Sequence, residues 1–337
     1  MKVVSAIGLA LAIAWSLPQA ARADDVADFY RGRTITLTSP DEAGSGYDRY
    51  ARLIGGFIGK HIPGNPKIVV KNMPGAGGLV QINYMDKIAP KDGTEFAIIQ
   101  HGLIFRPLFD PREVRYKVEN FRWLGSVTPI VVIGAFRKDA PAQTAEELFT
   151  KETLVGLAGG TTVYLPIAIN AIFKTKMKLI PGYRGTSDIA LAMKRKEVYG
   201  IVGLGLDSFQ FEMPGEEAEN YRILFQMGVR RAEALPNVPL IQEFAKNDLD
   251  RQTLETIFAS FSIGRVFLTP NIPDDRYTAL QAAFEKTVRD PELLQQAQKQ
   301  KSEVSYVSPN DINAIIRSVY NEPEDILKRA GAAMTAQ

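Results

Sequence analysis

The chain has 337 residues, of which 45% are hydrophobic and 23% are charged. These values are ordinary for a globular protein with a large core and room for two lobes. The absence of cysteine excludes disulfides, thiol catalysis and thiolate metal sites. The two histidines, His61 and His101, leave little material for a histidine-rich metal site or a conventional catalytic triad. The formal net charge is only +2, and the one basic cluster, residues 194–196, lies at a predicted helix end, so no nucleic-acid partner is expected.

Residues 1–23 differ in composition from the rest of the chain. A nearly continuous apolar run, Val3–Leu17, is followed by Ala21 and Ala23, which have the small side chains of a signal-peptidase site. We therefore expect a signal peptide, cleavage near Ala23 and a periplasmic location. The run is shorter than the roughly 20 residues that span a bilayer. An uncleaved anchor stays an alternative, whereas a lipid anchor would need a cysteine.

Three strand–loop–helix units are predicted between residues 34 and 102. The first strand, Thr34–Ser39, alternates apolar and polar residues and leads through a glycine loop into a helix that begins near Tyr47. The helix has Tyr50, Leu53, Ile54, Phe57 and Ile58 at helical spacing. Two further strands, 67–71 and 95–100, are followed by the loops at 72–78 and 101–102. This alternation is typical of a parallel α/β sheet, where loops converge at the carboxyl ends of the strands.

The second half of the chain repeats this pattern after a β-rich run, Trp123–Phe136, which is interrupted at Thr128 and Pro129. We interpret this run as one strand that leaves a first lobe and another that enters a second. Strands are predicted at 153–157, 178–181, 198–204 and 221–227, with helices at 163–174 and 187–196. Residues 258–268 are predicted to return to the first lobe, and helices follow at 274–289, 291–301 and 308–329. The predicted lobes comprise residues 24–126 with 262–337, and residues 127–261.

The loop at Gly44–Gly46 predicts an anion site, because the free N–H groups and the positive dipole end of the following helix point toward one place. Asp48 is expected to neutralise that helix end and to accept N–H bonds there. The loop is not a dinucleotide fingerprint, since Arg49 occupies the third glycine position, and Ala43 replaces the glycine of a nucleophile elbow. No P-loop lysine follows any of the glycine runs.

Other residues near predicted strand ends have two interpretations each. His101 is either a hydrogen-bond donor in a cleft or an ordinary loop histidine. Thr161 and Thr162 are expected to cap a helix, where a hydroxyl can also face a ligand carboxylate. Tyr47 and Tyr183 either stack on a ligand or pack in the core.

Several segments together resemble a known family. They are Phe29–Gly32, Gly44–Arg52, Ile68–Gly78, Ala89–Thr94, Pro181–Gly185 and Ala234–Pro239. The chain resembles the substrate-binding proteins of tripartite tricarboxylate transporters, the Bug-type periplasmic receptors, over nearly its whole length after residue 23. The asparagine-to-glycine loop at 72–78 is the most specific of these segments.

The resemblance implies an α/β, two-lobed periplasmic binding protein of the venus-flytrap type, in which each lobe is a mainly parallel sheet flanked by helices. Such a receptor binds a small organic carboxylate in the cleft between its lobes and delivers it to a membrane permease. It implies a monomer without catalytic residues, metal or cofactor. Two alternatives stay open: an exported hydrolase that uses Ser45 or Asp48 with His101, and a ligand sensor for a signalling partner.

The resemblance also implies which residues bind the ligand. Two loops of the first lobe, a third loop and several positions of the second lobe contribute: Ala43, Gly44, Ser45, Gly46, Tyr47, Asp48, Gly75, Ala76, Gly77, Gly78, His101, Gly160, Thr161, Thr162, Tyr183, Gly185 and Asp207.

One feature departs from the family pattern. Asp41 and Glu42 stand ahead of the glycines, where relatives have small residues or proline. At about 6 Å and an effective dielectric constant near 20, a like charge would cost a bound carboxylate roughly 3 kcal/mol. Either these acids point to solvent, or the ligand is not a polyanion. We hypothesise a hydroxylated or aromatic monocarboxylate that stacks on Tyr47.

Overall fold

The computed structural model describes residues 25–228 and 230–336, so the predicted signal peptide lies outside the described residues. The described chain forms two five-stranded sheets, each flanked by helices. No helix in these two ranges is long and apolar enough to cross a membrane.

The first sheet has the strand order β2-β1-β3-β10-β4. Its strands are β1 (Thr34–Ser39), β2 (Lys67–Asn72), β3 (Glu95–Ile98), β4 (Phe121–Ser126) and β10 (Val266–Pro270). The helices that belong to the chain segments of this sheet are α1 (residues 25–30), α2 (Gly46–Ile58), α3 (Leu79–Lys87), α4 (Arg106–Phe109), α9 (Asp274–Val288), α10 (Pro291–Lys299) and α11 (Pro309–Tyr320). Neighbouring residues of β3 enter different apolar clusters: Phe96 packs in one and Ala97 in the other. The sheet is therefore covered on both faces, as alternating side chains require.

The second sheet has the order β7-β6-β8-β5-β9. Its strands are β5 (Val132–Arg137), β6 (Thr153–Gly156), β7 (Met177–Ile180), β8 (Gly200–Gly205) and β9 (Tyr221–Met227). Its helices are α5 (Thr161–Phe173), α6 (Thr186–Lys194), α7 (Leu206–Glu212) and α8 (Asp248–Phe258). Each predicted strand–loop–helix unit is present, with ends that differ by a few residues, which is the usual uncertainty of element boundaries.

Both sheets are mixed. In the first, β1 pairs in parallel with β2 and β3, whereas β10 is antiparallel to β3 and β4. The second sheet repeats this arrangement, with β5 antiparallel to β8 and β9. Thus the strand–loop–helix units are parallel as predicted, and the antiparallel pairs arise where the chain arrives from the other sheet. Both β5 and β10 begin at the side of their sheet where the parallel strands have their carboxyl ends. They therefore run antiparallel to those strands.

The two segments that connect the sheets lie against each other. Arg265 N–H donates to Thr128 O at 2.9 Å, and Val127 N–H donates to Arg265 O at 3.0 Å. Gly264 has a φ of +61°, and a Cβ there would lie 2.1 Å from Thr128 O, so only glycine fits this crossing. The two connections therefore form one close junction between the sheets.

The last predicted helix, residues 308–329, is wrong as a single element. It is divided into α11 (Pro309–Tyr320) and α12 (Glu324–Met334). Pro323 lies at the break, since proline lacks an N–H group and disfavours helical geometry in the residue before it.

The second of these helices, α12, packs mainly against α5 and α8 of the second sheet and also contacts α4 of the first. Ala330 and Ala333 lie in an apolar cluster of that sheet, and Arg329 forms an ion pair with Asp250. The assignment of all residues 262–337 to the first lobe therefore stays a prediction, and this packing favours placing 324–336 with the second lobe.

Candidate functional site

The loop between β1 and α2 is closed by its own hydrogen bonds. Ser45 caps the helix, its hydroxyl accepting the N–H of Asp48 at 3.2 Å, and the N–H of Ser45 donates to Glu42 O. The N–H of Gly44 donates to the Asp48 carboxylate at 2.8 Å, as predicted for an acid in the first turn. The N–H groups of Gly46 and Tyr47, in the first turn of the helix, have no acceptor within it.

The Asp48 carboxylate, which is buried, connects this loop to β2. It accepts hydrogen bonds from Arg52 Nε and from Asn72 Nδ2, both at 2.8 Å. Burial raises the pKa of Asp48, but the bonds from Arg52, Gly44 and Asn72 outweigh that effect and hold the pKa below its usual value. Asp48 is thus a fixed anion that shapes the loop.

The second glycine loop has four successive residues with positive φ. The angles are 137° at Gly75, 49° at Ala76, 62° at Gly77 and 88° at Gly78. Ala76 is the one with a side chain, and this conformation costs such a residue about 1–2 kcal/mol. Successive N–H groups in such turns can face the same side, as anion-binding concavities require. A Cβ at Gly77 would lie 3.3 Å from the N atom of Gly160, so this loop touches the second sheet's loop.

The third loop places His101 away from solvent, with 1% of the residue exposed. Its Nδ1 lies 2.9 Å from Ser260 Oγ, its ring meets Phe261 edge-on, and its backbone N–H donates to Tyr47 Oη at 3.4 Å. Burial, together with the charge of Arg265, lowers the pKa of His101 to about 3. The imidazole is therefore neutral at physiological pH and holds the loop in position.

The loop before α5 comes from the second sheet. Gly160 precedes the helix, and the Thr161 hydroxyl donates to Gly203 O at 2.7 Å. The buried Thr162 hydroxyl accepts the N–H groups of Ala158 and Gly159 at 3.1 and 3.2 Å. The expectation that these threonines cap the helix is wrong, because Gly160 is the N-cap residue and no side chain caps α5. Both threonines lie in the first turn and brace the loop through their hydroxyl groups.

The remaining predicted site residues lie around these loops. Tyr183 is half-buried and packs on Gly156 of its own sheet, and Gly185 precedes α6 in an extended conformation. Ala43 is exposed at the tip of the first loop.

Sequence reasoning missed Arg265, which lies at the junction of the sheets with 2% of the residue exposed. Its Nη2 contacts Asp207 Oδ2 at 2.8 Å, so an ion pair joins the two sheets. The guanidinium also lies over the rings of Tyr47 and Tyr50, with Cζ 4.3 and 5.2 Å from the ring centroids. The Nε atom of Arg265 is buried without a hydrogen-bond partner in the described structure. Its signal in the sequence was a single charge within the apolar run at 258–268.

Burial and the charge of Arg265 shift the pKa values of Asp207 and Tyr47. Burial raises the pKa of Asp207, but the charge and hydrogen bond of Arg265 outweigh it, so the pKa stays below its usual value. Burial is also the main reason why the pKa of Tyr47 rises to about 12. Asp207 and Arg265 are therefore both ionised, and the Tyr47 ring is covered by a cation, which differs from the expected free stacking platform.

Glycines mark the places where the two sheets approach. A Cβ at Gly46 would lie 2.8 Å from Ser208 Oγ and 3.0 Å from Arg265 Nη2. A Cβ at Gly102 would lie 3.1 Å from Tyr164 Oη. With the contact between Gly77 and Gly160, all three loops of the first sheet meet the second sheet at the carboxyl ends of their strands.

Comparisons with solved structures show what this fold resembles. A TctC solute-binding protein from Polaromonas is 21% identical with a TM-score of 0.61, and the match covers 88% of this chain and 98% of that one. A Rhodopseudomonas palustris protein, Rpa4515, solved with adipate, is 19% identical with a TM-score of 0.68 and coverages of 89% and 98%. MatC from R. palustris, solved with bound malate, is 18% identical with a TM-score of 0.66 and coverages of 88% and 99%. At these identities the likeness establishes the fold, a two-lobed periplasmic binding protein.

Curated protein sequences give no match to this chain. A family model does match, over residues 60–332, and its description is tripartite tricarboxylate transporter family receptor, TctC. The match extends from the end of α2 to α12 and includes strands of both sheets. The chain therefore belongs to the TctC family of tripartite tricarboxylate transporter receptors.

Proposed function

We propose that this receptor is a periplasmic protein that binds a small organic carboxylate in the cleft between its two sheets and delivers it to a membrane permease. The observation that carries the proposal is that glycine loops of the first sheet meet the second sheet: Gly77 approaches Gly160 in a loop, and Gly46 approaches Ser208 in α7. Ligands of α/β sheets bind at the carboxyl ends of the strands, which is where these loops lie.

The preference for a carboxylate has two supports. The N–H groups of Gly46 and Tyr47 lie at the positive end of α2, and the left-handed turn at 75–78 presents further backbone N–H groups. Among proteins of the same fold, one was solved with adipate and another with malate, both carboxylates. Backbone donors of this kind can hold an anion without a dedicated lysine or arginine.

The alternative of an exported hydrolase is less consistent with the geometry. The Ser45 hydroxyl is engaged at the N-terminus of α2, and the His101 ring bonds Ser260, which belongs to the other connection between the sheets. A general base must lie within hydrogen-bond reach of the nucleophile it activates. Neither Ser45 nor Asp48 is paired with His101 in this arrangement.

The residues of the site divide into two roles in this proposal. Gly46, Tyr47, Ala76, Gly77 and Gly160 supply the surface that meets the solute. Positioning roles fall to Ser45, Asp48, His101, Thr161, Thr162 and the Asp207–Arg265 pair. The lobes that close on the solute comprise residues 24–126 with 262–323, and residues 127–261 with the last helix.

A thermal-shift screen of the purified mature chain tests the proposal. The panel contains mono-, di- and tricarboxylates, aromatic acids and amino acids, and a ligand raises the melting temperature by mass action. We expect at least one carboxylate class to raise it, with calorimetry giving a one-to-one complex. Gly77→Val should abolish the shift, whereas Gly56→Val, in open space on α2, should keep it. If no carboxylate in the panel raised the melting temperature, the proposal of a carboxylate ligand would be wrong.

A further inference from the structure

Four carboxylates, those of Asp41, Glu42, Asp48 and Asp207, lie near the first glycine loop, and Asp48 and Asp207 each have a cation of their own. Asp48 is paired with Arg52, and Asp207 with Arg265, each at 2.8 Å. Each also accepts a backbone N–H, from Gly44 and from Ser208 respectively. These two anions are therefore already neutralised by the protein.

Asp41 is the third carboxylate, and its hydrogen-bond partner is neutral. Its Oδ1 accepts from Gln100 Nε2 at 2.9 Å, while its backbone O accepts from Asn72 Nδ2 at 2.7 Å. Both bonds fix the residue, and the side-chain bond turns the carboxylate toward the end of β3.

The position of Gln100 shows where that carboxylate lies. If Gly78 and Gly160 each had a Cβ atom, these atoms would lie 3.0 Å and 3.7 Å from the Gln100 side chain, respectively. Asp41 is therefore half-buried at the place where loops of the first sheet meet the loop before α5. The adjacent acid differs, because Glu42 is exposed and, after Asp188, its charge helps to raise the pKa of Arg184 on the second sheet.

Within residues 25–228 and 230–336, the Asp41 carboxylate has an amide as its one side-chain donor, and a half-buried carboxylate held in this way is costly to a protein. Burial is the largest influence on Asp41 and raises its pKa, and the negative charges of Glu42 and Asp48 act in the same direction. Arg265 opposes them from a distance, but its guanidinium is bound to Asp207. An acid retained at such a cost, inside a binding cleft, is a candidate for a functional role.

Building on the receptor function proposed above, we propose that the solute combines one carboxylate with a cationic nitrogen, and that Asp41 binds this nitrogen. Gln100 holds the Asp41 carboxylate in place, and the solute carboxylate binds the backbone N–H groups of the glycine loops. The solute thereby supplies the cation that Asp41 lacks among the described residues. A second carboxylate in the same place would be repelled, which at about 6 Å weakens binding roughly a hundredfold.

Pairs of compounds that differ in one end group test this inference by calorimetry. Succinate and β-alanine have the same two methylene groups, as glutarate and 4-aminobutyrate have the same three, and each pair exchanges a carboxylate for an ammonium group. Aspartate, malate and succinate form a second series with an ammonium, hydroxyl or hydrogen on one carbon. We expect the ammonium member of the best-bound series to bind at least tenfold more tightly than its partner.

Two isosteric variants assign the effect to Asp41. Asp41→Asn should weaken the ammonium compound about tenfold to a hundredfold and strengthen the dicarboxylate, because the loss of a charged hydrogen bond is of that size. Glu42→Gln, which removes the same charge from the exposed neighbour, should change neither affinity by more than about twofold.

The outcomes separate this inference from the receptor proposal. If dicarboxylates bind as tightly as the ammonium compounds, or if Asp41→Asn leaves the ratio unchanged, the assignment of Asp41 is wrong while the receptor function stands. If no compound in the series or in the wider carboxylate panel binds, the receptor proposal itself is overturned.

Discussion

The ion pair between Asp207 and Arg265 allows a quantitative test of how the two sheets are joined. Arg265 is buried, its guanidinium bonds Asp207 at 2.8 Å, and it lies over two tyrosine rings. Removing one partner of a buried pair typically costs about 3–5 kcal/mol, because the other charge stays uncompensated. The two cation–π contacts add about 0.5–2 kcal/mol each. We therefore expect Arg265→Met to lower the free energy of unfolding by at least about 4 kcal/mol and Asp207→Asn by about 3 kcal/mol.

The double variant separates the pair from its surroundings. When both charges are removed, neither is left alone in the interior, so the combined loss should fall short of the sum by about 2–3 kcal/mol. Urea titrations followed by tryptophan fluorescence and by circular dichroism give these values where the two transitions coincide. Arg289→Met is the matched control, since Arg289 pairs with Glu285 and both side chains are exposed, at 66% and 37%, so this change should cost less than about 1 kcal/mol.

Strict additivity would refute this reasoning, because it would mean that the two charges do not depend on each other. A loss below about 1 kcal/mol for Arg265→Met would also refute it, since this variant leaves the Asp207 carboxylate in the interior without its cation.

Three further predictions concern single positions in the loops. His101 has a pKa of about 3 in the folded state, against about 6.5 in the unfolded chain. Its contribution to the free energy of unfolding is therefore complete above pH 6.5. As the pH falls toward 3, this contribution is lost at up to about 1.4 kcal/mol per pH unit. His101→Asn should flatten that slope in denaturant titrations between pH 7 and 4, and an unchanged slope would assign it to other groups. Gly46→Val should push Ser208 and Arg265 away and weaken solute binding at least tenfold in calorimetry. Gly56→Val is the control, and equal binding by the two variants would show that the sheets do not close on α2. Ala76→Gly should keep the free energy of unfolding within about 0.5 kcal/mol, because relief of the φ of 49° offsets the entropy of glycine; a loss above about 1 kcal/mol would contradict this.

The fold could be predicted from the sequence where local pattern decides it. Alternation in Thr34–Ser39 and the 3.6-residue period of α2 gave the first unit, and β9 was predicted at the limits observed. The division at Pro323 was missed although proline is its signal, because the apolar period continues on both sides. The packing of α12 on the second sheet could not be predicted, since an apolar face indicates burial without naming the partner.

The sequence allowed the loops of the site to be predicted, but it did not reveal most of the side-chain contacts within the site. Glycines followed by helix starts indicated backbone N–H groups at strand ends, and Asp41 was recognised as an unusual acid. The roles of Gln100, Ser260 and Arg265 depend on contacts between segments more than 50 residues apart. No spacing rule in a single sequence reports such contacts.

The strand order indicates how the receptor would open. Arg265 lies at the junction of the sheets, just before β10, whereas Gly77 follows β2. Because β2 is three strands away from β10 in the sheet, the two strands are roughly 14 Å apart. A rotation of about 15° around the junction therefore moves Gly77 by roughly 4 Å and leaves the Asp207–Arg265 pair nearly unchanged.

The absence of native cysteine allows this motion to be measured with introduced thiols. Spin labels at Val80 and Gly159, both exposed, report on the loops at 75–78 and before α5. We expect the distance between them to shorten by several ångströms when the solute identified by calorimetry is added. Labels at Val80 and Ile88, at the two ends of α3, should keep their distance. A first distance that is the same with and without solute would show that the glycine loops meet permanently, and the solute would then have to enter a cleft that does not open.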